Sequence, residues 1–474
     1  MSTRVFRRRA ALLAWLASAW LLLACAPAHA HANLVEASPP QGGEVSKPPG
    51  RVELRFSEPV DAEFDPVVVR NGDGARVDKG EASVAPEDAR VVLAGLEKLP
   101  EGSYTVKWRV TSIDGHVVEG RYDFAVAAAG ENQSSGDERG SGENTSQAAG
   151  THSGHHAGHD DGRGAGEAAS PDQVDTVPEP AAGRAAAISH GLALAATAFL
   201  AGLGPFAVFV WLPASRQSGE RGSGALRSFG VLACGLLLAL AVAGVGELSS
   251  YAVRASGRPL SAELFSQTLL DSRVGAVWLV RLGLALLVSA SITAAGSGRT
   301  WPWWAATGTS AILLMTLTGL SHAAATGRPL PLLADWTHAV AAAVWMGGLL
   351  GFAVALFSGP LRWLATDRQT KLRERSVRRF SVVATTAVVV LACTGLYAAV
   401  LHVPSPQALL ATPYGRALVA KLVPLTLLLA VGASNFLLRG RGPFGRLLVA
   451  ELLLGLGLFV ATGVLTSLPP PSGA

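Results

Sequence analysis

The segment "RVELRF" (Arg51–Phe56) places apolar side chains at every second position. That is the period of a strand with one face against a core. The same period continues outward from it. "DPVVVR" occupies 65–70, "NGDG" at 71–74 is a hairpin-turn signal, and "RVVLAGL" (90–96), "SYTVKWRV" (103–110) and "GRYDFAV" (120–126) follow. Several short strands with Pro/Gly punctuation in fewer than about 100 residues predict an all-β sandwich or barrel. The stretch holds no cysteine, so it must rest on an apolar core, and Phe56, Trp108 and Phe124 are expected in it.

Toward the N-terminus, Arg4, Arg7, Arg8 and Arg9 precede the apolar run "AALLAWLASAWLLLACA", and "AHA" ends at Ala30. This is the pattern of a secretory signal peptide. Residues 1–30 are read as the leader, with cleavage after Ala30 making His31 the first residue of the mature chain. A rival reading is processing at the lipobox-like "LLAC", which would start the chain at lipidated Cys25. The other two cysteines, Cys234 and Cys393, lie in apolar runs, and no disulfide framework or zinc-ribbon spacing is available.

Toward the C-terminus, residues 128–183 are rich in Gly, Ala, Ser and acidic residues and lack an apolar period, so they are expected to form a disordered tether. Within it, "THSGHHAGHDD" sets His152, His155, His156 and His159 close together, a composition suited to weak metal capture. From 184 to 470 the chain changes character. Eight apolar segments, roughly 185–212, 226–250, 274–296, 301–322, 334–358, 379–402, 415–438 and 447–468, are each long enough to cross a bilayer as a helix. The whole chain is 49 % hydrophobic and only 16 % charged, against about a quarter charged in soluble proteins.

The formal net charge of +4 does not point to nucleic acid, because the basic residues cluster between apolar runs. With the β domain outside, the inner loops carry Arg216, Arg221, Arg227, Arg299, the dense run at 362–379, then Arg439, Arg441 and Arg446. The outer loops hold few, chiefly Arg254, Arg258, Arg273 and Arg328. This asymmetry fits the positive-inside rule with both mature termini outside.

The topology sorts the histidines. His190, His322, His338 and His402 all fall at the outer end of the bundle. Met315 precedes His322 by seven residues and Met346 follows His338 by eight, spacings that predict a thioether two turns below each imidazole. Imidazole above thioether is a suitable ligand series for a transition-metal ion losing water on descent. Asp335 is expected to orient His338. Among the ionisable residues placed in apolar runs, Glu247, Arg281, Lys421 and Glu451, Glu247 is the first candidate for a functional role.

In the outer domain, "TSIDGHVVEG" (111–120) sets Asp114 and His116 two apart, on one face if the segment is extended. Taken alone, Asp-Gly reads as an ordinary turn. With a processed His31 the reading changes, because an N-terminal histidine offers its amine and its Nδ1 to one metal. An imidazole and a carboxylate then complete a tetragonal N,O set that suits Cu(II). The amine must lose its proton to bind, so affinity is expected to fall as pH drops below about 7.7–8.0.

"HANLVEASPPQGGEVSKPPGRVELRFSEPV" together with "VTSIDGHVVEGRYDFAV" resembles the CopC copper-binding domain over most of 31–127. The resemblance implies an Ig-like β sandwich with His31, Asp114 and His116 as Cu(II) ligands. Some members carry a methionine-rich Cu(I) site, which this methionine-free domain does not share. "DWTHAVAAAVWMGGLL" (335–350), "RRFSVVA" (378–384), "TGLY" (394–397), "TPYGRALVAKL" (412–422) and the closing "SLPPP" resemble the CopD family of copper-resistance membrane proteins. The chain is therefore identified as a CopC–CopD fusion.

The expected function is copper acquisition across the bacterial cytoplasmic membrane, the outer domain capturing Cu(II) and passing copper on, with Cu(I) an option in the membrane. The expected partners are copper ions, membrane lipid and a cytoplasmic copper acceptor, with no nucleic acid. No Walker A sequence or DKTG-type loop is present; no enzyme activity is expected, and transport would draw on a gradient or on sequestration. Two other readings stay open: a haem-binding or copper-linked redox protein, since paired helical histidines ligate haem, and a copper-resistance buffer that does not transport.

Overall fold

In the computed structural model, which describes residues 32–127, 182–217, 223–296, 299–325, 327–357, 366–403, 405–437 and 444–468, the alternating segments form nine strands. They are β1 (Leu34–Ser38), β2 (Glu44–Val45), β3 (Arg51–Phe56), β4 (Val60–Asp61), β5 (Val67–Asn71), β6 (Asp78–Ala85), β7 (Asp88–Leu96), β8 (Gly102–Ser112) and β9 (Val117–Val126). One sheet runs β1-β3-β7-β6; the other runs β2-β9-β8-β4, with β5 also on β8. Side chains from both sheets share one core: Val52, Leu54, Phe56, Val92 and Ala94 from the first, and Val106, Trp108, Tyr122 and Phe124 from the second. Phe56 meets Trp108 edge to face at 5.2 Å. Trp108 lies opposite Gly120 in the β8–β9 ladder, where a Cβ would sit 2.5 Å from the indole. Glycine is what lets the indole lie across that strand.

The leader, His31 and the histidine-bearing tether lie outside the described residues. The apolar segments form long helices. The first, α1 (Ala182–Phe206), passes Pro205 and continues through a π-helical turn at Ala207–Trp211 into α2 (Leu212–Gln217). A proline cannot donate its backbone bond, and such widened turns re-seat the ladder. Next come α3 (Ser223–Ser256), α4 (Ala262–Asp271), α5 (Arg273–Ala295), α6 (Trp301–Thr318), the single turn α7 (His322–Ala325) and α8 (Pro329–Phe357). The chain ends with α9 (Thr366–His402), the short α10 (Ala408–Ala411), α11 (Pro413–Leu437) and α12 (Phe444–Thr466).

Seven helical stretches among the described residues are long and apolar enough to cross a membrane. The eighth expected span forms a helix, α6, but its Trp/Thr/Gly-rich sequence leaves it outside that set. It is nonetheless part of the bundle, packed against α1 and α5. The centre of the bundle is α1, the most buried of the spans. It reaches α8 by direct backbone contact: a Cβ on Gly202 would lie 2.0 Å from the Ala343 carbonyl oxygen, and one on Gly347 2.5 Å from the Gly202 Cα. Small residues allow this approach where no hydrophobic driving force separates helix from lipid.

Candidate metal centre

The β8–β9 connection carries the site. Ser112 donates its backbone N–H to the His116 carbonyl, and Gly115 donates to that of Ser112. Gly115 takes φ +85°, the left-handed region where glycine alone is unstrained. Asp114 and His116 therefore converge through a tight turn, as Asp-Gly taken alone suggests, and not by alternation along an extended strand. Asp114 is the hub. It is buried, accepts from the Ser112 hydroxyl, accepts the His116 backbone N–H at 3.1 Å, and lies 3.1 Å from His116 Nδ1.

The fourth partner comes from the helical region. His322 Nδ1 lies 2.7 Å from the second Asp114 oxygen, and the His116 and His322 rings stack with centroids 5.0 Å apart. Asp114, His116 and His322 bring one potential ligand atom each within 4.8 Å of the others, a geometry able to hold a metal ion. His116 Nε2 donates to the Thr466 carbonyl at 2.9 Å. In the neutral tautomer this fixes, Nδ1 and a carboxylate oxygen face each other as two acceptors. A cation between them, proton or metal, resolves that conflict. Burial alone pushes the Asp114 carboxyl up, yet hydrogen bonds and charge from His116 and His322 hold it well below the usual carboxylate range.

The β domain is seated on the bundle by a second set of contacts. Arg273, the first residue of α5, donates to Asp61 at 2.6 Å and to the Ile113 carbonyl at 2.5 Å, and its backbone N–H reaches Glu63 at 3.3 Å. Tyr251 on α3 donates to Glu63 at 3.0 Å and its hydroxyl meets Thr111 at 3.0 Å. These contacts flank the turn and fix Asp114 over His322.

Two features of the site are absent from the sequence reading. The first is the meeting of His322 with Asp114. The second is Glu58, one residue beyond Ser57, which pairs with Asn33 through both its backbone and its hydroxyl. The Glu58 carboxyl is buried beside Asp114 and Ser112; burial and the neighbouring Asp114 raise it to about 8, partly offset by Ser112. Nothing in its sequence neighbourhood marks it among the domain's acids.

The raised value has a testable sign. Between about 4.5 and about 8 the unfolded chain releases the Glu58 proton while the native chain keeps it, so the native state binds more protons and stability falls as pH rises. The metal-free protein is expected to lose stability across that window with a slope approaching about 1.4 kcal/mol per pH unit. Glu58→Gln is expected to flatten this slope in denaturation measured from pH 5 to pH 8; an unchanged slope would refute the assignment.

The other expected residues are distributed as follows. His402, at the end of α9, is buried with its ring 5.9 Å from that of His322 and 6.5 Å from Tyr414. Asp335 does not orient His338. It hydrogen-bonds Ser321 and interacts with His322 and Lys421, while His338 Nδ1 meets the Thr394 hydroxyl at 2.8 Å. His190 pairs with Glu247 at 3.0 Å, a group of its own beside Arg281 and Arg254. Glu451 accepts from the Asn435 amide at 2.6 Å, and Arg281 donates to Thr316 with its guanidinium over Trp278.

Met346 is buried, its sulfur against Gly455. Met315 is a correction to the expected thioether series: its side chain is 41 % exposed, next to the Thr318 hydroxyl. The reason is that α6 ends at Thr318 and the chain turns before His322, so no single helical register links positions 315 and 322. Cys25, His31, His152, His155, His156 and His159 lie outside the described residues.

Three family matches tile the chain: the CopC domain at 34–127, the copper resistance protein D-like N-terminal domain at 181–330, and copper resistance protein D at 374–465. Over 452 residues the chain is 27 % identical to the copper transport protein CutJ of Bacillus subtilis (strain 168), spanning 93 % of this chain and 75 % of that one. A shorter stretch is 31 % identical over 111 residues to copper resistance protein C of Pseudomonas syringae pv. tomato, 22 % of this chain and 87 % of the relative. The crystal structure of CopC from Methylosinus trichosporium OB3b aligns at 35 % identity with 20 % of this chain and 94 % of its own, with a whole-chain TM-score of 0.19.

Proposed function

The chain is a CopC–CopD fusion of the copper-resistance and copper-transport families, and from that premise we propose that it imports copper across the bacterial cytoplasmic membrane. The outer domain, an Ig-like sandwich, captures Cu(II) through His31, Asp114 and His116 and delivers copper to the helical domain. The observation that carries this reading is the position of His322: a helical-domain imidazole already bonded to the carboxylate of the outer candidate site.

Further points support it. Asn33, two residues after His31, is tied to Ser57, whose neighbour Glu58 lies beside Asp114. The start of the described chain, at Ala32 and Asn33, is thereby tied to the strand end that carries Glu58. The helix ends that meet the β domain are the C-terminal end of α3, the start of α5 and the C-terminal end of α12, with His322 opening α7. The same side holds few arginines in its loops, as an external face requires. The packing of α6 between α1 and α5 favours eight crossings, which leaves both mature termini outside.

The test is copper accumulation in cells lacking the native gene and supplied with wild-type or His322→Ala protein at matched expression. Wild type is expected to restore cellular copper, and His322→Ala to leave it near the deletion level. Equal accumulation by both proteins would remove the handover from the mechanism. A deletion that does not change cellular copper would favour a buffer.

A further inference from the structure

Resting on that reading of the outer site, we propose that His322 and His402 form a second metal position, a two-imidazole Cu(I) site on the bundle side that shares His322 with the Asp114–His116 set. His402 is the terminal residue of α9, and both it and His322 are 8 % exposed. The Nδ1 of His402 is buried and has no hydrogen-bond partner among the described residues. Leaving such a buried nitrogen unpaired is unfavourable, and a bound cation would satisfy it.

The spacing suits a metal between the rings. Their centroids are 5.9 Å apart and the planes are inclined at 65°. Two metal–imidazole bonds of about 2.0–2.1 Å plus the ring radii span roughly 6 Å when the donors are in line. The stacked His116 and His322 rings, at 5.0 Å and 18°, do not offer that in-line arrangement.

The donor chemistry separates the two positions. Asp114 supplies a hard carboxylate to the outer set, which favours Cu(II). The His322–His402 pair supplies imidazole nitrogen only, with the Tyr414 ring 6.5 Å from that of His402. A closed-shell Cu(I) ion accepts two such donors without demanding a tetragonal field. The charged groups facing this pair are Asp114 from the outer domain and Asp335 from α8, the latter also near Lys421. Because one ring serves both positions, the two cannot be filled independently.

The experiment uses the purified full-length chain in detergent. Cu(I) affinity is measured anaerobically against a chromogenic Cu(I) chelator, and Cu(II) binding by electron paramagnetic resonance. Each variant is compared with wild type, so copper held by His152–His159 cancels. His402→Ala and His402→Gln are expected to weaken Cu(I) at least tenfold and leave the Cu(II) spectrum unchanged. Asp114→Asn is expected to do the reverse, and His322→Ala to weaken both. Matching elution profiles show that the His402 variants fold.

The two-imidazole site is overturned if both His402 variants bind Cu(I) within twofold of wild type. It is equally overturned if they lose Cu(II) in parallel, since that would make His402 part of a single site. Failure of Asp114→Asn to alter Cu(II) would count against the outer capture site alone, so the two ideas fail on different variants.

Discussion

Asp114→Ala is expected to lower the Cu(II) affinity of the full-length protein by more than about 100-fold. The size follows from how much passes through one carboxylate. Even partners that only orient a ligating histidine contribute roughly 10–100-fold to metal affinity. Asp114 plays that part for two imidazoles at once: one oxygen lies 3.1 Å from His116 Nδ1 and the other 2.7 Å from His322 Nδ1. It also takes the His116 backbone N–H and the Ser112 hydroxyl, which hold the turn closed. Alanine therefore removes a candidate ligand, releases both rings and loosens the loop in a single change. Asp114→Asn keeps the size and part of the hydrogen bonding but not the charge, so it is expected to retain the seated loop while still losing most of the affinity. Isothermal titration of both variants checks this, and an Asp114→Ala affinity within tenfold of wild type would place the metal elsewhere.

The contrast between Asp114 and His322 shows where sequence reading stops. The strand at Arg51–Phe56, the core aromatics Phe56, Trp108 and Phe124, and the long helices follow from local periodicity, which is set by residues a few positions apart. Asp114 and His116 stand out because an acid and an imidazole flank a glycine in a turn. His322 bonds Asp114 across 208 positions, and no local period encodes that meeting. It depends on Arg273 and Tyr251 seating one domain on the other, contacts between residues that read separately as an outer-loop arginine and an ordinary helical tyrosine.

The same limit applies to Met315 and Asp335. Treating 301–322 as one helix put Met315 beneath His322, but the helix ends at Thr318 and the intervening turn breaks the shared face. Proximity in sequence likewise suggested Asp335 as the partner of His338. On α8 the two side chains diverge, one to Ser321 and the other to Thr394. Glu58 was hidden for a different reason. Its burial beside Asp114 is a property of the folded β domain, and an acid after a strand is unremarkable in sequence.

The second large effect is expected at Gly347. A Cβ there would sit 2.5 Å from the Gly202 Cα, and the reciprocal Cβ on Gly202 would sit 2.0 Å from the Ala343 carbonyl oxygen. These neighbours are backbone, so no rotamer change relieves the overlap and α1 must separate from α8. Gly347→Val is therefore expected to destabilise the bundle by about 3 kcal/mol or more, at or beyond the upper end of ordinary overpacking. Gly283 is the control: it lies in α5, and a Cβ there meets nothing within 4 Å. Gly283→Ala is expected to be neutral or to stabilise by up to about 1 kcal/mol through helix propensity. Thermal unfolding in detergent followed by size exclusion separates the two, and equal midpoints would mean that α1 and α8 are not in backbone contact. The consequence reaches the metal centre, because α8 also carries Asp335, the carboxylate next to His322. Splaying α8 from α1 shifts that carboxyl relative to the imidazole, so Gly347→Val is expected to weaken metal binding at the candidate centre even in the fraction of protein that remains folded.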